Sequence, residues 1–430
     1  MKRGLLLLLP AALVLLQSCL PGGMTLPQSP ALKWLERRSG RIAYVALDGN
    51  VRTADQAGGA QKDVTTDAAV TEDGAGESFF YQFPAWSPDG RLLAFIGVRR
   101  TTETVMNTGI WTAPSDGRPA ARVYSGDDKM PEFLSWSPDS SRLVFVSTLG
   151  ANQQQLDTVS AQGGTVRVLR EGLAFTWRWK KGAAALAVHS LKLATGAVQE
   201  QVSILDSQGV MGDEDLQPVP GAFEAPAWSA DGRGIIMAVR EEAGSTLYLE
   251  DRAGADGRAL AHVEGDATFE LSPDGSRLAW AARLSPGDDG GRRLFVMNIA
   301  GPRGSPLPLT GDDTVTAFFW SPDGSKIAFF VPAPGTGNPG SDALMKLKVL
   351  QVKTGAVRTV ATFEPSPYFL GLLREYAQYA ESTRLWSPDS RFLLYCSMQP
   401  DSFDIMVAYA EEPIAPRKIA DGLMATWSPR

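Results

Sequence analysis

Two histidines, His189 and His262, are the whole imidazole supply of this 430-residue chain. Neither has a second histidine at metal-ligand spacing. No serine or cysteine is marked as the nucleophile of a catalytic triad. Both histidines therefore read as surface or sheet-packing residues. Carboxylates are the other reactive type. Asp89, Asp139, Asp231, Asp274, Asp323 and Asp389 each sit in a turn of the Pro-Asp-Gly kind. A ring of such carboxylates suggests metal or peptide binding, but Asp in these turns ordinarily bonds its own backbone. Arg91, Arg142, Arg233, Arg277, Lys326 and Arg391 follow closely and offset much of the charge. A second acidic set comprises Asp127, Asp128, Asp213, Asp215, Asp312 and Asp313. It falls in longer connections and forms a candidate rim for a cationic peptide, a basic protein segment or Ca²⁺. No other cofactor is indicated.

The elements that must position these groups come from a repeat. Trp86-Ser87-Pro88-Asp89-Gly90 returns around Trp136, Trp228, Leu271, Trp320 and Trp386, and a shortened copy ends the chain at Trp427. Each copy reads as strand, tight turn, strand: Pro presets φ at the second position, and Gly takes a positive φ at low cost. An aromatic follows the motif at fixed spacing, as in Trp86 and Phe95, Trp136 and Phe145, or Trp320 and Phe329. Constant spacing implies constant register, because a one-residue slip would turn the apolar set outward. Repeats of this length with four short strands each form propeller blades. A worn copy at Trp177, with Gly182 as its turn glycine, fills the long gap between Trp136 and Trp228. The expectation is an all-β, eight-bladed propeller of four-stranded antiparallel blades. Seven blades is the alternative if the Trp177 copy is an insertion. Ser39-Gly40-Arg41-Ile42-Ala43-Tyr44-Val45, read as the end of a turn plus a strand, would complete the final copy, so both ends of the chain would share one blade and leave no open edge.

On this scaffold the A–B and C–D turns occupy one face, and the longer B–C and D–A connections the other, where binding usually resides. The longest insertion, residues 364–382, carries Phe369, Leu372, Leu373, Tyr376 and Tyr379 at helical spacing after Pro365 and Pro367. It reads as a short amphipathic helix near the channel mouth. It either packs as a plug or serves as a recognition element with Tyr368, Phe369, Tyr376 and Tyr379 as aromatic candidates.

The repeats resemble those of the TolB-like, WD40-like (PD40) propeller family, and equally the propeller domains of prolyl oligopeptidase and dipeptidyl peptidase relatives. The resemblance covers residues 40–430. It implies a propeller and leaves the function open, since one fold hosts many functions. Segment 20–38 is too short for the α/β domain that precedes the TolB propeller. No Gly-x-Ser-x-Gly elbow of a peptidase hydrolase domain occurs.

The N-terminus reads as a processing signal. Lys2 and Arg3 precede an apolar run, and Leu16-Gln17-Ser18-Cys19 resembles a bacterial lipobox. The expected organisation is a signal peptide over 1–18, a tether over 19–38 and one propeller over 39–430, with lipid on Cys19. That makes the chain an exported lipoprotein of a bacterial cell envelope, held to the membrane by its anchor alone. Cys396 then has no disulfide partner and reads as a small buried hydrophobe. A net charge of −7 disfavours nucleic acid as a partner. The expected role is a non-enzymatic, monomeric scaffold that binds an envelope protein or peptide. The alternative is a glycan-binding or hydrolytic propeller with carboxylates in its channel.

Overall fold

The computed structural model describes residues 40–430 apart from 72–75, 102–104, 127–128, 151–152, 209–213, 217–219, 222, 243, 252–256, 285–290, 300–305, 307, 334–343 and 401. Among the described residues, seven antiparallel sheets follow one another along the chain. The repeat dictates them. In all six copies the motif serine Oγ donates to the motif aspartate at 2.6 Å. The same Oγ accepts the amide five residues on, for example Leu92 N at 2.9 Å and Gly234 N at 2.7 Å. The aspartate in turn accepts the amide two residues on, as Asp274 does from Ser276 at 3.0 Å. These bonds, led by that from Ser272, hold the Asp274 carboxyl down at about 2. The turn aspartates are thus engaged in their own turns.

Ser140 and Ser390 occupy the turn-glycine position with φ of 63° and 60°. Each has a compensation that glycine lacks. Ser140 Oγ accepts from Asp89 N, and Ser390 Oγ from Asp323 N, both at 3.1 Å, tying the turn of one sheet to that of its neighbour.

The tryptophans explain the rest of the motif. Trp136 Nε1 donates to Ala85 O (2.9 Å), Trp228 to Arg178 O (3.3 Å), Trp320 to Glu270 O (3.3 Å) and Trp386 to Phe319 O (3.0 Å). Each indole fills the space between sheets and staples its own sheet to the strand that carries the preceding copy of the motif. The worn copy does the same, with Trp177 and Trp179 both donating to Ser135 Oγ at 2.8 and 3.0 Å.

Register corrects the sequence reading of that copy by two residues. Trp86 faces Leu93 and Trp136 faces Leu143; in the worn copy it is Trp179 that holds this place, facing Leu186. The cause is the turn. Lys180 N donates to Ala185 O as Ser87 N donates to Leu92 O, which fixes Trp179 at the strand end. The copy forms its own four-stranded sheet: Ala174–Trp179, Ala185–Ala194, Ala197–Asp206 and Glu214–Asp215. His189 lies inside its second strand.

Two sheets depart from the four-strand pattern. Strand Arg258–Leu271 pairs first with Ser245–Asp251 and then, after a register shift between Glu264 and Thr268, with Arg277–Arg283. It thereby joins the three strands Ala227–Trp228, Gly234–Arg240 and Ser245–Asp251 to the two strands Arg277–Arg283 and Arg293–Asn298 in a six-stranded sheet. The sheet Phe392–Gln399, Ser402–Tyr409 and Arg417–Asp421 has three strands plus a bridge from Trp386 to Leu393. The termini meet as expected: Met424–Trp427 pairs with Ile42–Val45, setting Trp427 opposite Ile42.

Candidate functional site: the plugged channel

The insertion forms two short helices, α1 (Pro367–Arg374) and α2 (Tyr376–Tyr379). Ser366 caps α1 by accepting from Phe369 N at 3.2 Å, and Pro367 occupies its first turn. Phe369 packs on Phe330 and Phe363, with ring centres 5.6 and 6.2 Å apart. From there α2 reaches the first strands of several sheets. The Tyr379 ring stacks on Phe83 at 5.0 Å and lies 5.1 Å from Phe133. Tyr376 meets Phe318 and Phe319 edge-on at 5.5 and 5.7 Å. Gln378 Nε2 donates to Phe175 O at 2.7 Å, and Arg178 donates to Ala377 O at 2.9 Å. First strands line the centre of a propeller, so α2 fills that centre as a plug. Phe83 and Phe133 sit at matching bulges in their strands with φ of 52° and 50°. A positive φ is a strained conformation for an aromatic residue, and here it accompanies two rings that both contact Tyr379.

Charge beneath the plug is paired internally. Arg178 contacts Glu270 at 3.0 Å and Glu381 at 3.8 Å, all three side chains being largely buried. Burial raises Glu270 to about 7 against the pull of Arg178. Glu224 also stands at about 7; burial is again the chief cause, opposed by a 2.7 Å bond from Thr268. Arg292 completes this corner, donating to Thr268 Oγ1 at 3.0 Å and Thr316 O at 2.8 Å. A carboxyl with a folded-state value above its unfolded value opposes folding once ionised. The penalty is absent below the unfolded value near 4.5 and grows as pH rises through about 7. Glu224→Gln should therefore be more stable than the parent at pH 8 by on the order of 2–3 kcal/mol, with the gap closing by pH 4.5. Urea unfolding of both proteins across that range checks the sign.

The plug separates two clefts. On the turn face, a cavity of about 290 Å³ is bounded by Trp179, Trp228, Glu270, Glu381 and the turn around Asp274. On the loop face, a cavity of about 330 Å³ is bounded by Thr176, Phe223, Glu224, Arg292, Arg374 and Tyr376.

The residues singled out from sequence fare differently. Cys19, Asp127, Asp128 and Asp213 lie outside the described residues. Asp215 does not sit in a loop-face connection: it belongs to the outermost strand of its sheet, bonded to Ser203 (2.6 Å) and to Arg170 of the adjacent sheet (3.4 Å). Asp313 is held by Lys348 at 2.5 Å, whereas Asp312 is exposed. Among the described residues no group of three or more His, Cys, Asp or Glu side chains could hold a metal ion. Phe369, Tyr376 and Tyr379 are buried and cannot anchor a partner from solvent; Tyr368 is 42% exposed. The aromatic periodicity seats the helices on the propeller instead. His189 is buried, with Nδ1 3.2 Å from Glu224 O, and burial lowers it to about 4, so it is neutral near pH 7. His262 lies between Glu241 and Glu264 at 3.1 and 3.2 Å. Cys396 is buried and raised to about 12, hence not a nucleophile at neutral pH. Sequence reasoning passed over Arg178, Glu224 and Glu270. Arg178 and Glu270 each directly precede a motif-position residue, Trp179 and Leu271, where three other copies have Ala85, Ser135 and Ala227 and the rest have the uncharged Phe319, Leu385 and Thr426. A charged residue where every other copy has an uncharged one was the available signal.

These sheets, with the shared terminal sheet and central plug, define a β-propeller. No protein-family model matches the chain. It is 25% identical over 346 residues to dipeptidyl-peptidase 5 of Porphyromonas gingivalis, covering 74% of this chain and 48% of that protein. It is 24% identical over 210 residues to the uncharacterized peptidase YuxL of Bacillus subtilis, covering 48% and 30%. The chain thus spans at most about half the length of these curated relatives. Among solved structures it is similar to a prolyl endopeptidase with a TM-score of 0.57 at 13% identity, over 82% of this chain and 50% of that one. TolB from Acinetobacter baumannii aligns over 96% of this chain and 88% of its own, at 15% identity and a TM-score of 0.39. The prolyl endopeptidase likeness bears on the fold alone.

Proposed function

We propose that the chain is a non-enzymatic binding propeller that engages an envelope protein or peptide on its loop face. The observation that carries this reading is the plug. With α2 seated in the channel, a partner meets a closed surface rather than a passage. The connection that forms the plug also exposes Tyr368 on that face, and Asp312 stands on another connection of the same face. Aromatic side chains of this kind serve as anchors at interfaces. In this reading the ring has eight blades: the six-stranded sheet supplies two, and the bridge at Trp386 completes the three-stranded one. Cys19 carries a lipid that holds a monomeric propeller at the membrane of a bacterial envelope.

Peptide-library selection against the full chain tests the binding claim. Selected peptides should bind at least tenfold more weakly to a Tyr368→Ala, Asp312→Lys variant of unchanged melting temperature. Equal binding to the variant would place the contact elsewhere. For the anchor, Cys19→Ser should release the protein from membranes on fractionation, and retention would refute lipidation.

A hydrolytic reading has one observation in its favour. Glu270 and Glu381 border the same turn-face cavity as Trp179 and Trp228, as a glycan-cleaving pair of acids would require. Arg178 engages both carboxylates, which favours a structural clamp.

A further inference from the structure

The sheet built on the worn copy of the motif carries a long hairpin that is left partly uncovered. Its second and third strands, Ala185–Ala194 and Ala197–Asp206, pair over their whole length without a register shift. Thr195 and Gly196 close the hairpin with φ of 51° and 81°, the two positive values that a two-residue turn of type I′ requires. The fourth strand, Glu214–Asp215, pairs with Ser203 and Ile204 alone. In the two preceding sheets the fourth strand runs along the third from Thr108 to Thr112 and from Gln154 to Thr158. Leu216 N donates to Val202 O at 2.8 Å, so the main-chain groups of Val202 face the outer edge. Such groups alternate between the two edges of a strand, so those of Val198 and Glu200 face the same way. No main-chain partner meets them there among the described residues.

The side chains add a second mark. Leu193 and Val198 stand directly opposite each other near the turn and are 65% and 59% exposed, the highest values for large hydrophobic side chains among the described residues. Edges left open in proteins are ordinarily blunted by lysine, proline or a bulge. Residues 193–199 hold none of these and no charge of either sign. Lys192 pairs across from Gln199 and so lies on the other face of the hairpin. Glu200 is turned to Arg240 of the following sheet at 2.8 Å.

We propose that this edge takes up an extended, uncharged peptide segment of a partner protein as an added strand. Main-chain hydrogen bonds to Val198 and Glu200 hold the segment, and its alternate apolar side chains cover Leu193 and Val198. A row of outward amide and carbonyl groups is answered by another extended main chain. The uncharged run 193–199 selects against a charged segment, which would lose its solvation with no counter-charge to meet. The hairpin is a B–C connection of the loop face, on a different stretch of chain from Tyr368 and Asp312, and the proposal does not depend on a contact at those residues.

The test uses peptides selected from a displayed library against the full chain and counter-selected against its Val198→Pro variant. Proline at this position removes one outward N–H and none of the bonds inside the hairpin. A second variant, Leu193→Lys with Val198→Lys, keeps every main-chain group and changes only exposed side chains. Peptides that survive counter-selection should bind this lysine variant at least tenfold more weakly than the parent. Methylating one alternate set of the peptide's amide nitrogens should abolish binding, and methylating the other set should leave it unchanged, the signature of a strand held by one edge. No surviving peptide, equal loss from both methylated sets, or full binding to the lysine variant would overturn the proposal. A parent that sediments as a dimer, with a monomeric proline variant, would also overturn it, because a second copy would then cover the edge. Peptides bound through Tyr368 and Asp312 are removed by the counter-selection, so failure here leaves that contact untouched, and failure of that contact leaves this edge in place.

Discussion

Replacing Arg178 by methionine is expected to destabilise the propeller by about 3–5 kcal/mol, the range for breaking a buried ion pair from one side. The side chain is 11% exposed and contacts Glu270 (13%) and Glu381 (25%). Methionine fills much of the same volume but leaves both carboxylates in the channel without their shared cation. It also removes the bond to Ala377 O that ties α2 in place. The loss should depend on pH in a defined direction. Burial already holds Glu270 at about 7 and raises Glu381. Without Arg178 both carboxyls would take up protons more readily, so the deficit should be largest at pH 8 and smaller at pH 5. Urea unfolding at both values checks it; a deficit independent of pH would mean that lost packing, not unpaired charge, is responsible.

Tyr379→Ala is expected to cost about 3–5 kcal/mol, as large-to-small changes of buried aromatics do. Its ring lies against Phe83 and Phe133, and those two residues hold a strained backbone at the contact. The substitution leaves a hole at the channel centre that neighbouring strands, pinned by their tryptophan staples, cannot close. Tyr368→Ala, a few residues away, should change stability by less than about 0.5 kcal/mol because its side chain is exposed. Thermal or urea unfolding of the pair distinguishes the plug from the exposed part of the same insertion.

The contrast between these tyrosines shows what could be read from the chain in advance. The motif fixes turn chemistry and register, because each depends on neighbours close in sequence. The helix at 364–382 was legible from periodicity, but periodicity does not say which surface an apolar stripe meets. Of the two roles open for Phe369, Tyr376 and Tyr379, plug or recognition element, their burial fits the plug. Two residues of the acidic rim were legible in charge but not in pairing. Asp215 and Asp313 are acidic in sequence and paired in space, and their partners Arg170 and Lys348 are distant along the chain. The channel charges Arg178, Glu224 and Glu270 come from three separate stretches, and only ring closure brings them together. The two-residue shift from Trp177 to Trp179 likewise depends on a backbone bond, Lys180 N to Ala185 O, that residue types do not announce.

The most direct test of the binding account is hydrogen–deuterium exchange on the full chain with and without a peptide selected against it. The account predicts added protection in the loop-face connections, around Asp312 and Tyr368, with none in the turns at Asp89, Asp139 and Asp274. Protection confined to those turns, or none on either face despite saturating peptide, would contradict it.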